Sequence, residues 1–381
     1  MPAVSQPPQG VKLFLCGDVM TGRGIDQILV HPSAPQIYEP YLDDAREYVH
    51  LAEAIHGPLT LSVPCDYVWG DALLELAKAE PDLRLINLET SITACDQYWP
   101  GKGINYRMHP ANIATLQAAR IDCCVLANNH TLDWGRAGLV ETLEVLDQAG
   151  IRSAGAGKDG QQAGCPAIFP LPGAGRLLLF AYGCESSGVP PDWAAGPHRP
   201  GLNVLADLSA YSLRRIKTEI NALRQPGDLV VVSLHWGDNW GYAIHKAEQR
   251  FAHQLIDEAG VAVVYGHSSH HFKAIEVYQG RLILYGCGDF LNDYEGIGGY
   301  EEFRSDLALM YFPTIASDTG ALLRLRLIPR RIYRMRSVPV EAADLKWVAA
   351  TVNREGRSLG TGVRVLADGG LELTWEGENG R

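Results

Sequence analysis

The chain has 381 residues, with 33 Lys and Arg against 44 Asp and Glu, for a formal net charge of −11. Its 46% hydrophobic content supplies a sizeable core, in one large domain or two ordinary ones. The acidic balance excludes a broad nucleic-acid surface, which needs clustered Lys and Arg, but leaves room for a small anionic ligand where a metal reverses the local field.

In chain order, residues 1–10 come first; they are polar and Pro-rich and are expected to be disordered. They have neither the basic nor the apolar region of a signal peptide, and no stretch reaches the ~18 apolar residues of a membrane helix. The eight cysteines include no CxxC pair, and several lie inside apolar runs, where Cys acts as a small hydrophobe. These features predict a soluble, reduced, cytoplasmic protein without a membrane anchor. Its expected partner is a small-molecule or peptide substrate and not nucleic acid; no signal speaks for an oligomeric state.

Six apolar runs then end in chemically capable residues: Val11–Asp18, Leu83–Glu89, Ile121–His130, Leu229–Gly237, Val261–His270 and Arg281–Asp289. Short, nearly continuous apolar runs are the pattern of strands buried on both faces. Helical patterns lie between them over 138–150, 208–223 and 243–259. The first sets Leu139, Leu143 and Leu146 on one stripe and stops at Gly150. Alternating strand and helix predicts an α/β fold, in which ligands bind beyond the carboxyl ends of the strands.

Two segments break the alternation. Residues 31–80 are an insertion rich in aromatics (Tyr38, Tyr41, Tyr48, Tyr67, Trp69), and 183–202 hold four Pro and four Gly. Irregular segments of this length are usually functional, so a substrate wall and a lid are expected there. After Asp306, alternating apolar and basic residues predict antiparallel strands with a solvated face carrying Arg324, Arg326, Arg330, Arg331, Arg334 and Arg336. Residues 11–340 are read as one domain and 341–381 as a helix and hairpin extension.

The strand ends carry Asp18, Glu89, Asn129, His130, His235, His267, His270 and Asp289. Acids buried together without a cation repel and stay partly protonated. A divalent metal removes that conflict, and mixed His and carboxylate donors suit Mn, Zn or Fe. Two such ions would move the formal charge from −11 to −7, and the cleft around them is expected to be electropositive. Asn87 and Asn128 suit either this site or caps of tight turns; Arg23 and Asp133 suit an ion pair or braces behind the site. Arg107 is expected to meet an anionic substrate.

The motifs Gly17-Asp-Val-Met-Thr-Gly-Arg23, Asn87-Leu-Glu-Thr90, Leu126-Ala-Asn-Asn-His130 with Asp133-Trp-Gly135, His235-Trp-Gly237, Gly266-His267 with His270, and Gly288-Asp-Phe290 occur in this order over residues 11–312. The set resembles the CapA family of poly-gamma-glutamate synthesis proteins, within the metallophosphoesterase (calcineurin-like) superfamily. The resemblance implies a four-layer α-β-β-α sandwich with a mixed central β-sandwich. It implies one or two divalent metal ions held by Asp18, Glu89, Asn129, His235, His267 and His270. His130 and Asp289 then fall at catalytic positions, and Arg23, Asn128 and Arg107 are expected to bind substrate.

Met20 stands where phosphatases of this superfamily place a His ligand, Ser268 and Ser269 where the family has His and Pro, and Asp289 where it has Asn. These departures point to a substrate other than poly-gamma-glutamate. The implied activity is that of a metal-dependent hydrolase acting on a glutamyl-amide, peptide or other carboxylate-bearing substrate. A metal-dependent peptide epimerase, a phosphoesterase and a non-catalytic binding protein of a capsule system are the competing readings.

Overall fold

The computed structural model describes residues 10–171 and 175–377. The expected disorder of the N-terminus lies outside them except at Gly10, which begins a strand.

Two mixed sheets carry the molecule. The first has ten strands. Its middle is Gly10–Val19, parallel to Leu83–Leu88 on one side and antiparallel to Leu307–Ala316 on the other. Cys123–Val125 and Arg152–Ala154 continue the parallel side. Leu322–Ile332 and the hairpin Thr361–Val365/Leu371–Trp375 continue the antiparallel side. The second sheet has seven strands, with Arg176–Cys184, Leu229–His235, Val263–His267 and Arg281–Leu284 parallel at its centre.

Strand alternation sorts side chains into layers. In Gly10–Val19, Leu13 and Leu15 face Leu179, Val231, Val263 and Leu284 of the second sheet, in a core between the sheets. Phe14 and Cys16 face outward, against helix residues Ile25, Ile28, Leu139, Leu143 and Leu146. On the far side, Phe180, Val232 and Val264 pack against Ile216, Ile220, Phe251 and Leu255 of helices Ala210–Leu223 and Lys246–Ala259. The result is a four-layer α-β-β-α sandwich. Helix Gly135–Gln148 opens three residues before its predicted start, because the Asp133-Trp-Gly135 turn leads directly into it.

The sixth apolar run is not one strand. Arg281–Leu284 belongs to the second sheet, while Asp289–Leu291 pairs with Gly10–Val19 in the first, setting Asp289 opposite Asp18. The crossing between sheets needs Gly288 at φ +79° and brings its carbonyl against Gly17. A Cβ on Gly17 would stand 1.8 Å from that oxygen, so no side chain fits there.

Residues 31–80 form helices Arg46–His56 and Ala72–Ala79, and Val68 and Trp69 are buried in the outer core of the first sheet. Residues 183–202 pack against the body of the sandwich. Trp193 is buried against Trp99, Ser187 Oγ donates to the His235 carbonyl, and Arg136 bonds the Pro200 and Asp192 carbonyls. The C-terminal helix and hairpin are built into the sandwich: Val348, Val352, Leu371 and Leu373 lie in the core between the sheets. The basic strand is only partly solvated. Arg330 is buried and bonds Ser337, while Arg324 and Arg326 pair with Glu372 and Asp368. None of the eight cysteines forms a disulfide. Among the described residues no helix is long and apolar enough to cross a membrane.

Candidate metal centre

The parallel strands deliver their last residues to one end of the sandwich. Asp18 and Glu89 come from neighbouring strands of the first sheet, and His235 and His267 stand in register at the ends of neighbouring strands of the second. One ligand atom each from Asp18, Glu89 and His235 lies within 4.8 Å of the others, and all three residues are buried.

Asn87 separates the two acids. Its Nδ2 donates to Asp18 Oδ1 at 2.8 Å and to Glu89 Oε2 at 2.9 Å. Asn128 braces it in turn, donating to Asn87 Oδ1 (2.9 Å) and the Leu88 carbonyl (2.8 Å). His267 Nδ1 lies 3.1 Å from Asp18 Oδ1, and His235 Nε2 lies 3.1 Å from Asn129 Oδ1 and 3.8 Å from Glu89 Oε1. Asp18 Oδ2, His235 Nδ1 and His267 Nε2 are buried without a hydrogen-bond partner. Of these, Asp18 Oδ2 belongs to the converging triad, and a buried carboxylate oxygen without a donor is the kind of atom a cation would satisfy.

The charges say the same. Burial first, and then the Asp18 charge, hold the Glu89 carboxyl well above its ordinary range. Asp18 stays low because its bond and charge contact with His267 outweigh its own burial. The pair thus keeps one proton that a cation would displace. Burial holds His235 down to about 3, so its imidazole is neutral at neutral pH, as a ligand must be. The donor set fits a divalent ion.

His130 lies beside this group, its Nε2 3.9 Å from Glu89 Oε1. Its Nδ1 donates to Asp133 Oδ2 at 2.7 Å, and burial holds the ring down to about 4. Asp133 Oδ2 also accepts from the Tyr106 amide, and Lys102 Nζ stands 3.0 Å from Asp133 Oδ1. The edge of the Tyr106 ring meets the imidazole at 4.5 Å.

Four of the expected site residues lie outside the converging triad. His270 is not among the converging ligand atoms: its Nδ1 faces Asp289 Oδ1 at 3.0 Å, and its ring stands in the cleft between Trp240 and Tyr294. Asp289 is a buried brace for that ring, its other oxygen accepting from Asn292. Burial raises the Asp289 carboxyl, although His270 opposes this. Burial lowers the His270 imidazole, but Asp289 outweighs it and the net shift is upward. Asn128 has no group left for substrate, since its Oδ1 accepts from the His130 amide and Thr131 Oγ1. Arg107 turns its two terminal nitrogens to Asp96 and the Cys95 and Ala34 carbonyls and lies over the Trp134 ring, with its Nε buried and unpartnered.

Arg23 does line the cleft, but it is held by Asp293 and Glu39 and lies over the Tyr48 and Tyr106 rings. Met20 is buried, with the Tyr294 hydroxyl 3.8 Å from its sulfur.

The site opens into a cleft of about 790 Å³ lined by Arg23, Lys102, Asn129, His130, Trp240 and His270, among others. Sequence reasoning missed Lys102, Tyr106, Trp240 and Tyr294. Trp240 and Tyr294 each lie within five residues of a motif, and Lys102 sits between two glycines in the loop after Glu89; that proximity was the available signal.

The chain matches the family model described as bacterial capsule synthesis protein PGA_cap over residues 12–294. It is 45% identical to a probable polyglutamine synthesis accessory protein of Mycobacterium tuberculosis, covering 96% of each chain. It is 24% identical to the PGA biosynthesis protein CapA of Bacillus subtilis, covering 87% of this chain and 74% of the relative. A solved structure of a phosphatase from Mycoplasma pneumoniae aligns over 85% of this chain and 94% of its own, at 11% identity and a TM-score of 0.46. The first two matches carry the assignment: the chain belongs to the CapA-like bacterial capsule synthesis protein family.

Proposed function

We propose that the protein is a metal-dependent hydrolase acting on a glutamyl-amide, peptide or other carboxylate-bearing substrate in polyglutamate or capsule metabolism. One observation carries this reading: Asp18, Glu89 and His235 converge within 4.8 Å in a buried pocket beside a carboxylate-held imidazole. Asp18, Glu89 and His235 would hold the ion, with Asn129 and His267 against them. A divalent cation there supplies Lewis acidity toward a carbonyl or phosphoryl oxygen and makes water a better nucleophile.

The remaining work falls to the chain. Asn87 holds the two acids apart at fixed spacing. Asp133 accepts a hydrogen bond from His130 Nδ1–H, which leaves the Nε2 lone pair free toward the cleft. A neutral imidazole placed so can accept a proton from attacking water and return it to the leaving amine. The test is amide cleavage. Purified protein supplied with Mn²⁺, Zn²⁺ or Fe²⁺ should release amine from a panel of γ-glutamyl amides, and Asp18→Asn should not. Absence of cleavage with every metal and amide would contradict the reading.

A second reading, peptide epimerisation, is favoured by one feature: two imidazoles, His130 and His270, each held by a carboxylate, border the same cleft. Deuterium uptake at Cα from D₂O without cleavage would select it.

A further inference from the structure

The walls of the cleft supply no surplus positive charge of their own, so the electropositive field expected there would come from bound ions alone. Four permanent cations line the cleft, and each is already countered. Arg23 meets Asp293 and Glu39, Lys102 meets Asp133, and Arg304 and Arg331 both meet Asp306 and Asp344. Four cations thus face five carboxylates, before Glu295 and Glu301 of the lining are added. A polyanionic chain entering here would find no free positive charge along the walls.

The rim has the opposite chemistry. Tyr41 (86% exposed), Ile55 (60%), Ile297 (46%) and Tyr300 (47%) are large apolar side chains left open to solvent, and all four line this cleft. Tyr300 stacks on Trp240, with ring centroids 4.0 Å apart and planes 2° from parallel. Exposed apolar residues scattered singly are ordinary, whereas several gathered at the mouth of a reactive cleft mark a binding surface.

We propose that the cleft takes an amphipathic amide: one polar carbonyl head that reaches the acid–histidine floor, and an uncharged apolar group that lies on the rim. A polymer bearing a carboxylate on every unit is the class it disfavours. This deepens the hydrolase reading by naming the flank of its substrate, and the rim is the specificity-determining surface.

The test is binding, so it does not depend on turnover. Full-length protein supplied with Mn²⁺ is titrated with γ-glutamyl-2-naphthylamide and, separately, with a γ-glutamate tetramer, at low and at high salt. The naphthylamide should bind at least about tenfold tighter, with little salt dependence, since burying its rings and not an ion pair supplies the affinity. Ile55→Ser with Ile297→Ser changes two solvent-exposed positions; it should weaken the naphthylamide by about tenfold and leave metal content unchanged. Binding of this kind without cleavage supports the inference and contradicts only the hydrolase reading. The inference is overturned if the tetramer binds as tightly with steep salt dependence, if the double variant binds the naphthylamide like the parent, or if neither probe binds.

Discussion

Two clusters of buried charge lie a few side chains apart and are built in opposite ways. Around Arg23 the protein supplies its own cation. The guanidinium bonds Asp293 and Glu39, Tyr48 donates to Glu39, and two tyrosine rings cover it. Around Asp18 and Glu89, among the described residues, no Lys or Arg forms an ion pair with either acid, and the only partners within ion-pair distance are imidazoles. An amide wedge spaces the acids, one of them retains a proton, and three buried polar atoms lack partners. Desolvating charge is tolerated only when a partner repays it, so the first cluster is complete and the second awaits an ion. The same elements that build the sandwich therefore make one self-neutralised charge site and one candidate metal site.

The comparison is broken most forcefully at Arg23. Arg23→Met leaves Asp293 and Glu39 buried and unpaired; it should cost about 3–5 kcal/mol in chemical denaturation while bound metal per chain stays the same. Metal loss with little change in stability would show that the clusters are not independent. At the other cluster, Asp18→Asn or His235→Ala should lower divalent-metal affinity by at least about a hundredfold in metal titration. Asn87→Ala removes only the wedge and should lower it about 10–100-fold.

Acidity sharpens the contrast next. In the metal-free protein the folded Glu89 carboxyl is raised, so its contribution to stability is full below its ordinary unfolded value and is lost as pH rises through the folded value. Metal must displace that proton, while His235 is already neutral. Apparent metal affinity should therefore climb with pH by up to about tenfold per unit below the folded Glu89 value, and Glu89→Gln should flatten the slope. A slope unchanged in that variant would place the displaced proton elsewhere. The smallest effect belongs to Arg107, whose bonds are internal. Arg107→Lys should leave metal and probe binding within about twofold and lower stability by about 1 kcal/mol.

The sheet strands were legible because a short apolar run ending in Asp, Glu or His is what a buried strand needs when its last residue emerges at the edge of the sheet. A two-residue period then sorts each run into an inner and an outer core. Asp18, Glu89 and His235 were legible for the same reason: each ends a run. What sequence does not display is the partner of a polar side chain. Asn128 and Arg107 were placed beside substrate because sequence displays a polar group without its partner. The hydrogen bonds from Asn128 to Asn87 and from Arg107 to Asp96 span 41 and 11 residues and follow no period. His270 joins His267 as a ligand through the resemblance to the family's last motif. Three residues beyond a strand end, the chain has left the sheet and turned the ring toward Asp289. The ion pairs of the cleft wall were only partly visible in the same way: Asp306 lies two residues from Arg304, whereas Asp344 reaches it across 40 residues.

The central claim is that the end of the sandwich lacking its own cation binds one from outside. X-ray data collected across the absorption edge of Mn, Fe or Zn, on crystals grown with that metal, address it directly. The account predicts an anomalous peak bounded by Asp18, Glu89 and His235, absent in Asp18→Asn crystals. A fully occupied metal elsewhere with that triad vacant, or no bound metal after titration in solution, would contradict it.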